Sequence, residues 1–527
     1  MPPIAPVLTP AWPTSPKGCV SSVRRSSRSC PDPPPRCWST SVSRCPVPSR
    51  PSTGRPPAAA SRSPRSASCS PRSSRPRLPR PETMTQTAAF MGQLENAEAQ
   101  RGGDGWVSWS FPVPSLDPLA VLETIDPSGP RGYFENPSRN RSHAAGEPLA
   151  IWRGKGERRF LEADRWLRDL NARLTSVGPA PRLIATFPFY PGEAREGHDS
   201  VLFLPAWQVV SEEGRTTVTL AEPAGAGCAE RLAARAESFL RFSYKPRPAT
   251  ARPTGATVLS EVGGRWFPSA VGRATELIRE GAFEKIVLTR AFEWRRSDPF
   301  DIYATLHRLR RANGACHTFL VDEEDGALVG ATPETLLSLF DGEVRTESVA
   351  GTTRRGESPA EDASLAEALL ASDKDRREHD AVTQSILRRL GMVGVLAATR
   401  RDAELLRLGN VMHLRTPIVG RMPADRRFME VAGELHPTPA VGGKPRALAL
   451  PFIPGFEPHD RGLYTGAVGW VASDGRSGKL FVALRCARLN GDRARAFAGA
   501  GIVAGSDPDA EAAETEMKLR TILDALT

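Results

Sequence analysis

Apolar residues along the chain recur at two spacings, which together predict a mixture of strands and helices. Short runs rich in β-branched and aromatic residues, at 183–191 and 201–210, are bounded by Pro, Gly and charged residues and are predicted as strands. Helical spacing covers 228–242, and a second helix is predicted over 266–281 with Gly281 at its end. Strands interleaved with helices, without regular βαβ spacing, are typical of an α+β fold.

Two later helices carry acidic residues in line with their apolar positions. The stretch 364–390 is predicted as one helix, in which Asp375 and Glu378 lie on or beside the stripe of Val382 and Ile386. Acid pairs of this kind usually lie on the solvated face of a long helix, and that interpretation stays open for this pair.

The last predicted helix begins after Asp507 and Pro508, a typical N-cap and first helical residue. It places Glu511, Glu514 and Lys518 on one face. Like charges one turn apart repel by roughly 0.2–0.5 kcal/mol, and burying them without a cation is far less favourable. Four carboxylates on two helices, without Cys or paired His nearby, are typical of a hard-cation site, so Mg²⁺ is the natural candidate.

Three other side chains are candidates for chemistry. Lys285 lies in an apolar-alternating strand over 282–290; such a lysine usually reaches solvent from a sheet edge, but a buried one could act as a general base. Glu334 follows a Thr-Pro turn and by itself is typical of an acid in the first turn of a helix. Arg485 is predicted within an apolar strand, where a buried guanidinium would need an anionic partner.

The basic charge of the chain is confined to its first 83 residues. Residues 1–83 contain 14 Lys and Arg and two acids, whereas the remainder contains 56 bases and 58 acids. The net charge of +10 therefore does not indicate a nucleic-acid-binding domain. The same segment holds 20 of the 49 prolines, with two tryptophans as its sole aromatic residues, so it is predicted to be disordered.

Three interpretations of this segment stay open. Its Ser- and Arg-rich, acid-poor composition fits a targeting peptide, although it contains neither an amphipathic repeat nor an apolar stretch for secretion. It could also be a functional basic arm. We favour the third interpretation, in which it is not part of the working protein and Met84 is the start.

The rest of the chain resembles an ordinary globular protein. It contains no run of about 18 apolar residues, so no membrane partner is expected. Three cysteines, far apart and odd in number, favour a reducing compartment, and we expect a cytoplasmic protein. We divide the chain into a disordered tail at 1–83, an N-terminal part at 84–257 that ends in a Pro-rich connector at 245–257, and a C-terminal catalytic domain at 258–527.

Eight sequence blocks between about residues 280 and 520 resemble the chorismate-utilising enzymes, in the same order. The blocks are KIVLTR, GATPETLL, AGTTRRG, SDKDRREHDAV, HPTPAVGGKP, RGLYTGAVGW, FVALRCARL and GAGIVAGSDPDAEAAETEMKL. The resemblance implies an α+β chorismate-binding fold in which two antiparallel sheets pack together with helices outside. It also implies chorismate as the substrate and Mg²⁺ as the cofactor.

A few positions distinguish the branches of this family. Anthranilate synthases typically carry Gln in place of Lys285, and aminodeoxychorismate synthases carry Lys in place of Ala350. The block at 436–443 resembles that of isochorismate synthases and differs from that of salicylate synthases. The resemblance therefore implies isochorismate synthase activity. The alternative is a salicylate synthase, which would add elimination of pyruvate in the same site.

The resemblance also implies roles for individual residues. Neutral Lys285 would take a proton from the water that attacks C2 of chorismate, and Glu334 would donate one to the departing C4 hydroxyl. The implied metal ligands are Glu378 and Glu514, with Asp375 and Glu511 holding metal-bound water. The implied substrate-binding residues are Gly351, Thr352, His413, Ala440, Tyr464, Arg485, Gly499 and Lys518.

Water rather than ammonia as the nucleophile implies that no glutaminase subunit is needed. We expect a monomer without a nucleic-acid or membrane partner. Isochorismate can feed menaquinone or a catechol or salicylate siderophore, and both pathways stay open.

Overall fold

The computed structural model describes residues 92–96, 104–126, 129–191, 198–244, 258–323, 326–400 and 402–527. The predicted disordered tail, the proposed start at Met84 and the Pro-rich connector lie outside these residues. The described residues belong to one compact unit, Leu78–Thr527.

Strands and helices alternate irregularly along the chain, as expected for an α+β fold. The strands are β1 Trp106–Val113, β2 Arg131–Asn136, β3 Arg141–Gly154, β4 Leu174–Val177, β5 Arg182–Phe187, β6 Ser200–Glu212, β7 Arg215–Pro223, β8 Val258–Glu261, β9 Lys285–Arg295, β10 His317–Glu323, β11 Gly326–Thr332, β12 Thr335–Phe340, β13 Glu343–Arg354, β14 Leu396–Arg400, β15 Glu404–Arg407, β16 Val411–Arg421, β17 Gly443–Lys444, β18 Ala467–Ala472, β19 Gly478–Val482, β20 Cys486–Asn490 and β21 Arg493–Ile502. The helices are α1 Pro118–Ile125, α2 Arg159–Ala172, α3 Cys228–Leu240, α4 Phe267–Arg279, α5 Ile302–Ala312, α6 Pro359–Ala371, α7 Asp373–Met392, α8 Phe428–Leu435, α9 Arg446–Ala449, α10 Ile453–Phe456 and α11 Pro508–Leu526, with 3-10 turns at Pro137–Arg139 and Leu450–Phe452.

Strand β6 connects two antiparallel sheets. Its partner β3 starts the first sheet, in the order β3-β2-β10-β11-β20-β21-β9, with β8 and β17 both paired to β9. The beginning of β6 also pairs with β5, which starts the second sheet in the order β5-β18-β19-β12-β13-β16, with β14 and β15 both paired to β16. The end of β6 pairs with β7, which continues to β1 and β4.

The two sheets pack against each other through an aromatic core. Phe134 and Phe319 of the first sheet share one buried cluster with Trp470 and Phe481 of the second. Full burial of such a side chain contributes roughly 1.5–3 kcal/mol. Helices α1, α3, α5 and α11 pack in one outer core, and α2, α4, α7 and α8 pack in another. The predicted pair of antiparallel sheets with helices outside is confirmed.

The prediction of a single helix over 364–390 is wrong. The chain forms two helices, α6 and α7, which are separated at Ser372. Ser372 has extended backbone angles (φ −66°, ψ 111°), and its side chain accepts a hydrogen bond from the amide of Asp375. Ser372 is therefore the N-cap of α7, and Asp375 lies in the first turn of that helix.

Two further local predictions are also wrong. Glu334 does not begin a helix, because it lies in the short connection between β11 and β12. Arg485 does not lie within a strand: β19 ends at Val482, β20 begins at Cys486, and Arg485 between them has a φ of +50°. This left-handed conformation is uncommon for a residue with a side chain.

Strands from both sides of the Pro-rich connector contribute to both sheets. In the first sheet β2 pairs with β10, and in the second β5 pairs with β18. The division at 257 and 258 stays a prediction. None of the described helices combines the length and apolar character needed to cross a bilayer. Cys228, Cys316 and Cys486 are buried.

Candidate active site

Twelve of the fourteen predicted site residues line one cavity, which lies between the edges of both sheets and helices α7 and α11. These residues are Lys285, Glu334, Gly351, Thr352, Glu378, His413, Ala440, Tyr464, Arg485, Gly499, Glu514 and Lys518. The other two, Asp375 and Glu511, do not line the cavity but lie next to residues that do.

Lys285 is the first residue of β9 and is 6% exposed. Its Nζ donates a hydrogen bond to Oε1 of Glu378 at 2.7 Å. Gly501 on the neighbouring strand leaves room for this side chain, because a Cβ there would lie 2.7 Å from Cε of Lys285. The interpretation that Lys285 reaches solvent from a sheet edge is therefore wrong.

Glu378 lies on α7 opposite this lysine, and its side chain is 18% exposed. Burial works against its charged form. The charge and the hydrogen bond of Lys285 outweigh burial and hold the pKa of Glu378 below its ordinary value. The cavity thus contains a carboxylate that is ionised at neutral pH.

Glu334 is 3% exposed, and its backbone is fixed on both sides. Its amide donates to Oγ1 of Thr332 at 3.3 Å, and its carbonyl accepts from the amide of Val482 at 3.1 Å. Burial and the negative charge of Glu347 raise the pKa of Glu334 to about 8, although a hydrogen bond from Thr438 to Oε1, at 3.4 Å, works in the opposite direction. Glu334 is therefore protonated at neutral pH.

The charge of Glu347 is held near Glu334 by two donors. Oε1 of Glu347 accepts from the amide of Thr335 at 2.7 Å, and Oε2 accepts from Nε of Arg415 at 2.5 Å. The residue lies on β13 and is buried. Two carboxyl groups thus share a region of low dielectric, which favours the neutral form of one of them.

Gly351 lies at a β-bulge. The register between β13 and β16 shifts between Ala350 and Thr352, and Gly351 has a φ of +75°. A Cβ at this position would lie 3.2 Å from Cβ of Asp375. Glycine is therefore needed here for its backbone angles and for the close approach of α7.

A hydrogen-bonded chain runs from this bulge through His413 to Arg485. Nη2 of Arg485 lies 3.2 Å from Nε2 of His413, whose Nδ1 lies 3.2 Å from the carbonyl of Gly351 and 3.1 Å from Oγ1 of Thr352. A guanidinium can only donate, so Nε2 accepts and the ring proton resides on Nδ1, which donates to the carbonyl of Gly351. Burial and the charge of Arg485 lower the pKa of His413 well below its ordinary value, so the ring is neutral.

Arg485 has no anionic partner in the described part of the chain. It is 7% exposed, and its other side-chain contact is Oγ1 of Thr521 at 3.3 Å. Burial lowers the pKa of Arg485, which shows that the environment does not compensate its charge. A buried guanidinium of this kind is suited to receive a carboxylate from a ligand.

Tyr464, Gly499 and Lys518 form the adjoining wall. The ring of Tyr464 stacks on Phe497 with centroids 4.9 Å apart, and its hydroxyl would lie 3.4 Å from a Cβ at Gly499. Nζ of Lys518 donates to the carbonyl of Gly499 at 3.0 Å and contacts Glu514, one turn earlier on α11. A Cβ at Gly499 would also lie 2.9 Å from Cγ2 of Thr289, so this close approach requires glycine.

The four predicted carboxylates fall into two pairs. Glu378 and Glu514 line the cavity; Glu511 is buried behind it, where burial and the charge of Glu514 raise its pKa. Asp375 lies against the bulge. Among the described residues no three His, Cys, Asp or Glu side chains form a preassembled metal cluster. Two cavity carboxylates with two more behind them nevertheless fit Mg²⁺, which retains several waters and takes one or two carboxylates directly.

Comparison with known proteins identifies the family. The family model described as "Chorismate binding enzyme" matches residues 92–527. The chain belongs to the chorismate-binding enzyme family. The family predicted from the eight sequence blocks is thus confirmed.

The relatives of this chorismate-binding enzyme include named isochorismate synthases. It is 35% identical over 436 residues to the "Salicylate biosynthesis isochorismate synthase" of Pseudomonas aeruginosa, with 80% of this chain and 90% of that protein covered. It is 28% identical over 442 residues to isochorismate synthase MenF of Bacillus subtilis, with 80% and 93% covered.

Solved structures show the same fold. MenF, the menaquinone-specific isochorismate synthase of Escherichia coli, matches with a TM-score of 0.70 and 26% identity over 84% of this chain and all of that chain. Anthranilate synthase component I of Streptococcus pneumoniae matches with a TM-score of 0.60 and 22% identity over 73% of this chain and 92% of that chain, a likeness of fold alone.

The sequence analysis missed three side chains that set the environment of Glu334 in this chorismate-binding enzyme. Glu347 and Thr438 act on Glu334 directly, and Arg415 holds Glu347. Thr438 lies inside the block at 436–443, so the motif contained it. Its hydroxyl, however, donates to Glu334, which lies 104 positions away in sequence. Such contacts depend on strand register, which local patterns do not reveal.

Proposed function

We propose that this chorismate-binding enzyme is an isochorismate synthase that uses Mg²⁺. The observation that carries the proposal is a single cavity lined by a buried lysine, a buried protonated glutamate and an arginine without a carboxylate partner. The names of its relatives support the same activity. A site with a base, an acid and anion receptors suits the addition of water to one ring carbon and the loss of water from another.

Glu334 is the general acid in this proposal. Its pKa of about 8 keeps the proton in place at neutral pH, and the rigid connection between β11 and β12 fixes its position. It donates this proton to the C4 hydroxyl of chorismate, which leaves as water when the C4–O bond breaks.

Lys285 is the general base. Its ammonium, which pairs with Glu378 in this structure, must first lose a proton, because only the neutral amine can accept one. Its Nζ takes a proton from the water whose oxygen bonds to C2, while the ring double bonds shift and C4–O breaks. One water enters and one leaves, so the reaction is an isomerisation. Glu378 positions Nζ through the 2.7 Å contact between them.

The anion receptors orient the substrate between base and acid. Arg485, Tyr464 and the backbone of Gly499 hold the enolpyruvyl carboxylate, and His413 orients Arg485 through the contact with Nε2. Lys518 fixes the carbonyl of Gly499 from behind. Ala440 is small and lines the opposite wall.

The bulge and the two helices receive the ring carboxylate. The backbone at Gly351 and the hydroxyl of Thr352 face it in this proposal. Bound Mg²⁺ supplies positive charge that neutralises the ring carboxylate. Glu378 and Glu514 would hold the metal, and Asp375 and Glu511 would hold its waters.

Product analysis with full-length protein, chorismate and Mg²⁺ tests the activity. We expect isochorismate in reversible equilibrium with chorismate. Salicylate together with pyruvate would instead indicate a salicylate synthase, and the absence of both products would contradict the proposal.

Lys285→Ala tests the base. We expect turnover to fall by about 10³-fold or more while chorismate binding, followed by equilibrium titration, stays measurable. Lys444→Ala is a matched control, because Lys444 pairs with Lys285 across the neighbouring strand but bonds to Glu284 outside the cavity. Equal activity of the two variants would refute the role of Lys285.

A further inference from the structure

A second cavity, of about 610 Å³, lies between the start of α2 and the segment that follows α8. We call it the arginine cavity, and the residues that define it are Arg159, Phe160, Tyr190, His436 and Arg446. None of these residues lines the catalytic cavity.

The two arginines have no ion-pair partner in the described part of the chain. Among the described residues, no carboxylate oxygen lies within the 4 Å of an ion pair from either guanidinium; Arg159 reaches only the carbonyls of Gly156 and Pro188, at 3.3 and 3.4 Å. Arg446 donates to the carbonyls of Glu434 and His436 at 3.1 and 2.8 Å. The buried Nε of Arg159 has no hydrogen-bond partner in the described part of the chain.

This arrangement differs from that of an arginine buried in an ion pair elsewhere in the protein. The guanidinium of Arg461, fully buried, donates from Nε and Nη2 to both oxygens of Glu457, at 2.9 and 2.6 Å. Arg159 is 5% exposed and lacks such a pair. Burial lowers the pKa of Arg159 to about 10; the charge of Glu157 opposes this shift, and the charge of Arg446 adds to it. Two guanidinium groups thus face one cavity without an ion pair among the described residues.

Acidic residues in the cavity wall form no ion pair with either arginine. Glu430 pairs with Arg426 at 2.9 Å, and Glu434 pairs with Arg389 at 2.5 Å. The exposed Glu157 acts on both arginines only at longer range. The described part of the cavity wall therefore retains net positive charge.

The remaining wall is aromatic and carries one further donor. Phe160 stacks on Phe187 with ring centroids 4.0 Å apart, and Phe189 meets Tyr190 edge to face at 4.8 Å. The buried hydroxyl of Tyr190 has no hydrogen-bond partner among the described residues. Two guanidinium groups, a hydroxyl and aromatic rings together suit a carboxylate attached to an apolar ring.

We propose that the arginine cavity is a second ligand site, which binds a small carboxylate with an apolar ring. The segment 436–441 separates it from the catalytic cavity. His436 and Pro437 line the arginine cavity, whereas Ala440 and Val441 line the catalytic one. The two sites are distinct but share this wall.

Calorimetric titration of the full-length protein with benzoate, benzamide and inorganic phosphate tests the proposal. We expect benzoate to bind, and benzamide, which has the same ring without the charge, to bind at least tenfold more weakly. Equal binding of benzoate and benzamide would overturn the role of the arginines. Phosphate binding as tight as that of benzoate would overturn the choice of a ring-bearing ligand.

The Arg446→Gln variant tests whether benzoate binds in the arginine cavity. We expect this variant to lose benzoate affinity by at least tenfold. The control Arg241→Gln, which removes an exposed arginine paired with Glu237 outside this cavity, should keep it. If Arg446→Gln fails to fold, Arg446→Lys and Tyr190→Phe are expected to weaken binding by severalfold. Unchanged affinity in these variants, or loss of the same binding in Arg485→Gln, would overturn the proposal.

Discussion

Glu334 and Glu378 line the same cavity, yet its two walls give their carboxyl groups opposite charge states at neutral pH. Glu334 lies near the carboxylate of Glu347, and its pKa rises to about 8. Glu378 bonds to the ammonium of Lys285, and its pKa falls below the ordinary value. Burial opposes ionisation at both positions, so the sign of the neighbouring charge decides which residue is the acid and which is the anion.

This difference explains how one residue type can serve both roles that the proposed reaction needs. A general acid must retain its proton at the pH of catalysis, whereas a metal ligand must have lost it. Exchanging the charged neighbours of the two glutamates would therefore exchange their roles as acid and anion, although the glutamates themselves stayed unchanged. The predictions below therefore alter the glutamates first and a neighbour last.

Removing the acid should have the largest effect. Glu334→Gln keeps the shape and polarity of the side chain but cannot supply the proton, so we expect kcat to fall by about 10²–10⁴-fold. The Mg²⁺ concentration needed for half-maximal activity should stay the same. Steady-state kinetics at several Mg²⁺ concentrations measure both quantities, and a loss in kcat of less than tenfold would contradict the role of Glu334.

Removing the anion should change the metal dependence instead. Glu378→Gln removes a proposed ligand, so we expect half-maximal activity to need about 10–100-fold more Mg²⁺. The Glu334→Gln variant is the matched control, since it alters a buried glutamate of the same cavity. Activity of the wild-type protein that persists in EDTA would refute the metal site altogether.

Changing the neighbour should have the smallest effect. Turnover of the wild-type protein should fall as pH rises through about 8, because Glu334 then loses its proton. Glu347→Gln removes the charge that helps to raise this pKa, so the fall should move to lower pH and turnover at pH 7 should drop about twofold.

The control for this change is Glu404→Gln. Glu404 is the other carboxylate paired with Arg415, at 3.0 Å, but it is largely exposed and does not contribute to the pKa of Glu334. Its pH profile should match that of the wild-type protein. An identical profile for Glu347→Gln would show that burial alone sets the charge state of the acid.

The sequence predicted the members of the site better than their local structure. Lys285, Glu334 and the four helical acids lie in motifs of fixed order, and the chain brings them together or next to one another. The conformation of Arg485 was not predictable, because its φ of +50° depends on how two sheet strands meet rather than on an apolar pattern.

The break between α6 and α7 could have been predicted in part from the sequence. Ser372 followed three residues later by Asp375 is a recognised start signal for a helix, since the serine hydroxyl can bond to the amide of that residue. The prediction of one helix over 364–390 did not use this signal, nor the absence of apolar residues at 372–380. Glu347 and Thr438, by contrast, affect Glu334 across long stretches of chain, and no local pattern predicts such contacts.

Helix α11 has a consequence for biosynthesis of the protein. It supplies Glu514 and Lys518 to a cavity whose first residue along the chain is Lys285. Nascent domains begin to fold from the N-terminal side, while later residues are still being added. A ribosome-bound chain therefore cannot assemble the complete cavity until residues 508–526 have emerged, and translation products that stop before α11 should be catalytically silent.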